Sequence, residues 1–322
     1  MKVGVDTSPL IQTRAGTARH VRGLLGALRD RPDLELELLS FGGPNRLSSG
    51  ARDALWYPVG LARRARRLDV LHCTTFRGPP RPRIPTVLTV HDLGIIRYPD
   101  AFPQWHRLYG KVGLRKVLRA ADVVVAVSEF TKDEVVALVG VPAERVRVVP
   151  NGVDAIFAPD GQATEGDYVL AVATLEPRKN LGRVVEAAQL AGVELRVVGA
   201  RGWGGVEVPG RVGEIPDAEL AALYRGARCV LYPSLYEGFG LPVLEAMACG
   251  APVVTSRGTA MEEVAGGAAV LADPLDPASI ADGIAEAHAR RDELVPRGLA
   301  RASEFTWGRA ADAVEALWRE LA

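Results

Sequence analysis

Short apolar runs rich in Val, Leu and Ile alternate along this chain with amphipathic stretches at helical spacing. In the first half, Val3–Asp6, Leu34–Phe41, Val70–Cys73, Thr86–His91, Val123–Ser128 and Val146–Val149 read as strands. Helices are expected between them, at about Thr17–Leu28, Leu61–Leu68, Gln104–Arg119 and Glu129–Val139. Gly140 stops the last of these, and Thr131 with Glu134 suggests a capping box near its start. Residues Pro150–Gly166 are rich in Pro, Gly, Asn and Asp and read as a linker. The alternation then restarts with strands Tyr168–Ala173, Glu194–Val198, Val206–Val212, Cys229–Tyr232, Pro252–Thr255 and Ala268–Leu271. Helices Leu181–Ala191, Asp217–Arg225, Pro242–Ala248 and Pro277–Arg290 fall among them. Two α/β units with parallel sheets follow from this alternation. A last helix, Trp307–Leu321, places Ala310, Ala313, Val314, Leu317, Trp318 and Leu321 on one face. That face must pack, and the pattern leaves open on which half.

Length agrees with two units, since 322 residues suit two domains of about 150 each. A hydrophobic share of 48% against 24% charged is globular rather than disordered composition. Formal net charge is zero, so no global field marks a nucleic-acid partner, and none is expected. Cys73, Cys229 and Cys249 are far apart, odd in number and set in apolar runs, which predicts buried reduced thiols rather than a disulfide scaffold. The start MKVGVD reads as a strand rather than a signal peptide, and no run approaches the ~18 apolar residues of a spanning helix. A cytoplasmic protein is the expectation, touching a membrane at most from that side.

Doubly wound sheets bind ligands in the loops after their strands, so the residues there carry the candidate chemistry. Ser234-Leu-Tyr-Glu-Gly-Phe-Gly-Leu-Pro-Val-Leu-Glu245 follows a strand and runs into a helix. Gly238 and Gly240 let backbone approach a bulky ligand, and the amides of Phe239 to Leu241 at a helix start suit a pyrophosphate. Glu237 and Glu245 flank that loop, where both can accept from hydroxyls; the plainer reading is one solvated carboxylate and one complementing the helix dipole. Glu176-Pro-Arg-Lys-Asn180 follows the first strand of the second half. Arg178 offers a fork and Lys179 a point charge to a diphosphate, against the alternative of two solvated cations. His91 ends a predicted strand beside Asp92 and is read either as a ligand contact or as a satisfied structural histidine. No Asp-x-Asp occurs, and no His, Cys or carboxylate spacing suggests a metal or cofactor.

These stretches bring the chain to a known family. Glu237-x7-Glu245, continuing Ala-Met-Ala-Cys-Gly-Ala-Pro-Val-Val254, resembles the signature of glycosyltransferase family 4. So do Glu176 to Asn180, Val149-Pro-Asn-Gly-Val-Asp154, Val127-Ser-Glu-Phe-Thr-Lys132 and Gly213-Glu-Ile-Pro-Asp217, over nearly the full length. Thr174 to Lys179 and His91-Asp-Leu93 are most similar to mannosyltransferases of bacterial polysaccharide synthesis. The resemblance implies a GT-B fold, two Rossmann-like doubly wound domains facing a cleft. Residues 1–155 with 306–322 would form the acceptor side and 156–305 the nucleotide-sugar side.

It also implies roles. Glu237 and His91 would meet the donor sugar, Arg178 and Lys179 the diphosphate, and Glu245 the ribose. Gly238, Phe239, Gly240 and Leu241 would supply backbone donors, Val212 and Ile215 would border the base, and Gly16 and Thr17 would lie near the phosphates and acceptor. Where many relatives carry a further Arg before the Arg-Lys pair, this chain has Ala173-Thr174, so the phosphate role rests on Arg178 and Lys179 together. The implied activity is retaining, metal-independent hexose transfer, with mannose from GDP-mannose as the expected donor and a glycan or lipid-linked saccharide as acceptor. A UDP-sugar transferase and a phosphorylase or epimerase of the same architecture stay open. An NAD enzyme is disfavoured because no G-x-G-x-x-G follows the first strand. Two basic stretches, Leu61–Leu68 and Trp105–Arg119, suggest an anionic membrane contact or simply solvated helices of an Arg-rich protein.

Overall fold

A computed structural model of the chain describes residues 1–12, 16–43, 45–101, 109–202, 208 and 211–322. It divides into two compact units, Met1–Gly152 with Thr306–Ala322, and Val153–Phe305.

The first unit holds β1 (Lys2–Asp6), β2 (Glu35–Leu39), β3 (Val70–Cys73), β4 (Thr86–Val90), β5 (Val123–Ala126) and β6 (Val146–Val148). They form one parallel sheet in the order β2-β1-β3-β4-β5-β6. Both faces are covered, which is why β3, β4 and β5 are buried at every position with no alternation of exposure. On one face the helix Gly16–Leu28 buries Ala18, Val21, Leu24 and Leu28. The helix Trp307–Leu321 joins the same core through Ala310, Val314, Leu317 and the fully buried Trp318. The other face packs Leu61, Leu93, Leu114, Leu118 and Val135 on Leu71, Leu88 and Val124.

The second unit holds β7 (Tyr168–Val172), β8 (Glu194–Val198), β9 (Arg211–Gly213), β10 (Cys229–Tyr232), β11 (Val253–Ser256) and β12 (Val270–Ala272). Its order is β12-β11-β10-β7-β8-β9, again all parallel. The chain leaves β7 through β8 and β9, then returns to the opposite side of β7 with β10. In the first unit the same reversal falls between β1 and β3. Where the winding reverses, successive loops leave in opposite directions and a crevice opens at the strand ends.

Several expectations need correction. The helix placed at Leu61 begins much earlier, running from Arg46 through Arg52–Gly60 and Leu61–Arg64 to Arg67. Pro58 lies inside it, and Leu61 N–H reaches back five residues to Trp56 O, a widened turn at a residue that has no N–H to give. Ser128, not Thr131, caps the helix from Glu129, its Oγ accepting from Thr131 N–H, while Glu134 turns instead to Arg97. Helices Ala260–Ala265 and Arg291–Ser303 were not foreseen, the second because Pro296 interrupts its pattern. The strand expected at Val206–Val212 and the helix at Gln104–Arg119 lie partly outside the described residues; β9 and the segments Tyr109–Gly113 and Leu114–Ala120 are what is described. All three cysteines are buried and free.

Candidate functional site

In the second unit the reversal between β7 and β10 brings together two loops some 55 residues apart. After β7 the chain makes a single tight turn, Pro177–Lys179, and ends it at Asn180 with φ of 63°. Asn180 is the one non-glycine described residue in the left-handed region. Its amide makes the strain tolerable, for Nδ2 donates to Pro233 O at 2.9 Å and Pro274 O at 2.6 Å, while Oδ1 accepts from Arg183. Leu235 N–H donates to Arg178 O at 2.8 Å. The two loops are thus stapled by backbone and amide before any charge is considered.

On that frame Lys179 Nζ donates to Glu237 Oε1 at 2.5 Å and to the Tyr232 hydroxyl at 2.9 Å. Arg178 donates through Nη1 to Glu237 Oε2 and Tyr236 O, both at 3.3 Å, and through Nε to Glu176 Oε2 at 3.0 Å. Burial by itself would raise the Glu237 pKa, but the neighbouring Lys179 and Arg178 outweigh it and hold the carboxyl below its usual range. Burial likewise opposes the charge on Lys179, and Glu237 reverses the sign, so the ammonium persists. Tyr232 is pushed up to about 12, by burial first and then by Glu237. The Ser234 side chain, 1% exposed, is buried beside this cluster.

The loop continues into the helix Leu241–Ala248. Gly240 precedes it at φ of 105°, and a Cβ there would stand 2.8 Å from Met261 Cγ, so backbone conformation and space both require glycine. As the residue before the helix Gly240 offers no capping side chain. Among the described residues, no acceptor is paired with the amides of Phe239, Gly240 and Leu241, which leaves donors at the positive end of the helix dipole. Glu245, 4% exposed, accepts from the Tyr224 hydroxyl at 3.0 Å through Oε2. It is held by a side chain of the helix Asp217–Gly226 and is no solvated dipole partner. Val212, in edge strand β9, is 53% exposed, and Ile215 is half-buried just beyond it.

Gly16, Thr17 and His91 belong to the first unit. Gly16 is exposed and opens the helix Gly16–Leu28, with Thr17 half-buried beside it. His91 follows β4, its Nε2 2.9 Å from Thr74 O. A carbonyl only accepts, so Nε2 carries the proton and Nδ1 remains an acceptor. Burial lowers the His91 pKa and keeps the ring neutral at pH 7. Its ring stands edge-on to His20, centroids 4.7 Å apart, and His20 Nδ1 lies 2.7 Å from Asn151 Oδ1.

Sequence reading missed Tyr232, Tyr224 and His20 as members of these clusters, and it included Ser234 and Asn180 in the candidate stretches without giving them a role. Tyr232 and Tyr224 look like ordinary core positions in their strand and helix, and nothing local marks their hydroxyls. Asn180 carried a signal: an Asn directly before a helix and after a Pro-led turn suits the left-handed conformation.

Among the described residues no group of His, Cys, Asp and Glu is arranged to hold a metal ion, and no helix is long and apolar enough to cross a membrane.

Two parallel sheets wound this way, one in each unit, define the GT-B class of glycosyltransferase fold. Sucrose-phosphate synthase from Thermosynechococcus elongatus shares it, with TM-score 0.79 and 20% identity over 100% of this chain and 99% of that one. So does HepE of Anabaena, solved in complex with UDP-glucose, with TM-score 0.75 and 19% identity over the whole of both chains. Residues 14–156 match Glycosyltransferase Family 4 and residues 166–290 match Glycosyl transferases group 1. O-antigen chain mannosyltransferase B of Escherichia coli is 31% identical, over 94% of this chain and 84% of its own. The chain belongs to glycosyltransferase family 4.

Proposed function

We propose that the chain transfers mannose from GDP-mannose to a growing glycan or lipid-linked saccharide, with retention at the anomeric carbon and without a metal ion. The observation that carries this reading is the buried Lys179–Arg178–Glu237 cluster at the reversal of the second sheet, with unpaired amides at the adjoining helix start. Cationic side chains and amides serve the diphosphate as a metal would elsewhere: Lys179 has three N–H donors and spends two, and Arg178 and the amides of Phe239 to Leu241 complete the anion site. Glu237 meets the sugar hydroxyls and Glu245, steadied by Tyr224, meets the ribose. Val212 and Ile215 border the base. His91, neutral with Nδ1 free to accept, takes a hydrogen bond from a sugar hydroxyl, and Gly16 and Thr17 flank the phosphates and acceptor. The unit Val153–Phe305 is then the donor side and the unit of Met1–Gly152 with Thr306–Ala322 the acceptor side.

Mannose is favoured by the name of the Escherichia coli relative. A UDP-sugar donor is the second reading, because the HepE neighbour is described with UDP-glucose. Calorimetric titration of GDP-, UDP-, ADP- and dTDP-sugars, followed by acceptor-dependent release of free nucleotide, tests both. Tighter binding or faster turnover with a UDP-sugar sinks the GDP-mannose assignment, and the absence of acceptor-dependent nucleotide release counts against a transferase and for a phosphorylase or epimerase. The exposed Arg63, Arg64, Arg66 and Arg67 meet anionic lipid at the cytoplasmic membrane face and bring the acceptor side to a lipid-linked saccharide.

A further inference from the structure

His20 is a second buried histidine beside His91, and its surroundings decide its tautomer. It lies on the helix Gly16–Leu28 and is 3% exposed. Nδ1 stands 2.7 Å from Asn151 Oδ1, and an amide oxygen only accepts, so Nδ1 carries the proton. Nε2 is then a bare lone pair, buried and without a partner. Burial first, and then the neighbouring His91 and His72, hold the His20 pKa far below its usual value, so the ring is neutral. Leucine or phenylalanine would fill this place with no unpaired nitrogen. The imidazole is therefore kept at a cost to the fold.

What holds His20 comes from the two places where the chain crosses between units. Asn151 directly precedes Gly152, the last residue before the chain leaves the first unit, and Trp307 directly follows Thr306, where it returns. The Trp307 ring stands edge-on to His20, centroids 5.9 Å apart at 73°. A Cβ on Gly152 would lie 2.3 Å from Trp307 N, and one on Gly23 would lie 2.1 Å from Trp307 Cε2. Neither position has room for a side chain, so Trp307, His20 and Asn151 are packed in one arrangement.

His91 needs such a support. Its one hydrogen bond runs from Nε2 to Thr74 O, and Nε2 lies close to the axis through Cβ and Cγ. That bond limits rotation about χ2 only weakly, and χ2 of histidine is intrinsically broad. The direction of Nδ1 is then set by what packs on the ring, and His20 stands against it at 77° with centroids 4.7 Å apart. The other charged or titratable groups that act on these two rings are Asp92 and His72. We propose that His20 is a positioning residue for His91, fixing the rotation of its ring, and that Asn151 fixes His20 in turn, so that the direction of the His91 Nδ1 lone pair is set from the chain crossing. The consequence for the sugar rests on the role given to His91 above; the positioning does not.

The test reads the imidazole ¹⁵N shifts of the five histidines, with kcat, KM and calorimetric GDP affinity, in wild type, His20→Leu, Asn151→Leu and Asn151→Asp. Wild type should show His20 protonated on Nδ1 and His91 on Nε2. In His20→Leu and Asn151→Leu, His91 should become a mixture of tautomers and titrate nearer its usual value. Turnover should fall at least about tenfold, with GDP affinity unchanged. Asn151→Asp keeps the acceptor and should keep the His91 tautomer. A role in packing alone would lower the melting temperature and leave the His91 tautomer as it is, and that result in folded variants overturns the proposal. So does a wild-type His20 protonated on Nε2, which needs no variant to observe. A changed His91 tautomer with normal turnover upholds the positioning and removes His91 from the sugar.

Discussion

Lys179 and Glu237 form a buried ion pair across 58 residues of sequence, and each fixes the charge state of the other. Neither charge would survive alone at that depth: desolvation of an unpaired ion costs several kcal/mol, and pairing offsets it only with good geometry and further hydrogen bonds, which Tyr232 and Arg178 supply. The pair is therefore a poor device for stability, and on the proposed function it serves to present a cation to the donor's diphosphate.

Lys179→Ala is expected to lower kcat/KM by ~10²-fold or more, since a charged hydrogen bond to a developing phosphate anion contributes a few kcal/mol. Glu237→Ala should be at least as harmful. Circular dichroism must show both variants folded, and near-normal turnover by either would remove the pair from the donor site.

If cationic side chains and helix amides hold the diphosphate as proposed, turnover should be insensitive to EDTA. Inhibition by EDTA that added Mg²⁺ or Mn²⁺ reverses would contradict this.

Asp6 makes a stability prediction with a definite sign. Burial raises its pKa from 3.8 to about 6. Below about pH 4 the group is protonated folded and unfolded alike and costs nothing. Between about pH 4 and 6 the unfolded chain releases the proton while the fold retains it, so stability falls as pH rises. The full cost, on the order of 3 kcal/mol, applies above that window. Asp6→Asn should therefore gain in melting temperature relative to wild type as pH is raised from 4 to 7. A gap that stays constant across this range would show that Asp6 is not the group responsible.

Wild type should co-sediment with vesicles containing acidic lipid and be released by high salt, each arginine adding up to ~1 kcal/mol near the surface. Replacing Arg63, Arg64, Arg66 and Arg67 with Gln should abolish binding. Equal recovery in the supernatant with and without anionic vesicles would favour a soluble acceptor.

Local pattern was enough for the two-sheet architecture and for the loops that matter. Apolar runs, glycines around Phe239, a Pro-led Arg178-Lys179 turn and a carboxylate at Glu237 are all consequences of short-range chemistry, and they stand in consecutive residues. What periodicity could not reveal is which strands are neighbours. Placing β10 against β7 rather than beyond β9 is a property of the winding, and it alone brings Tyr232 and Glu237 to Lys179. The same holds for Tyr224 beneath Glu245, for His20 against His91, and for Asp6 beside Arg52 and Tyr57. Tyr232, Tyr224, His20, Asp6, Arg52 and Tyr57 each look like ordinary core or surface in their own segments. Hydrogen bonding and desolvation act over a few ångströms of space, and only the tertiary structure decided which groups share those ångströms.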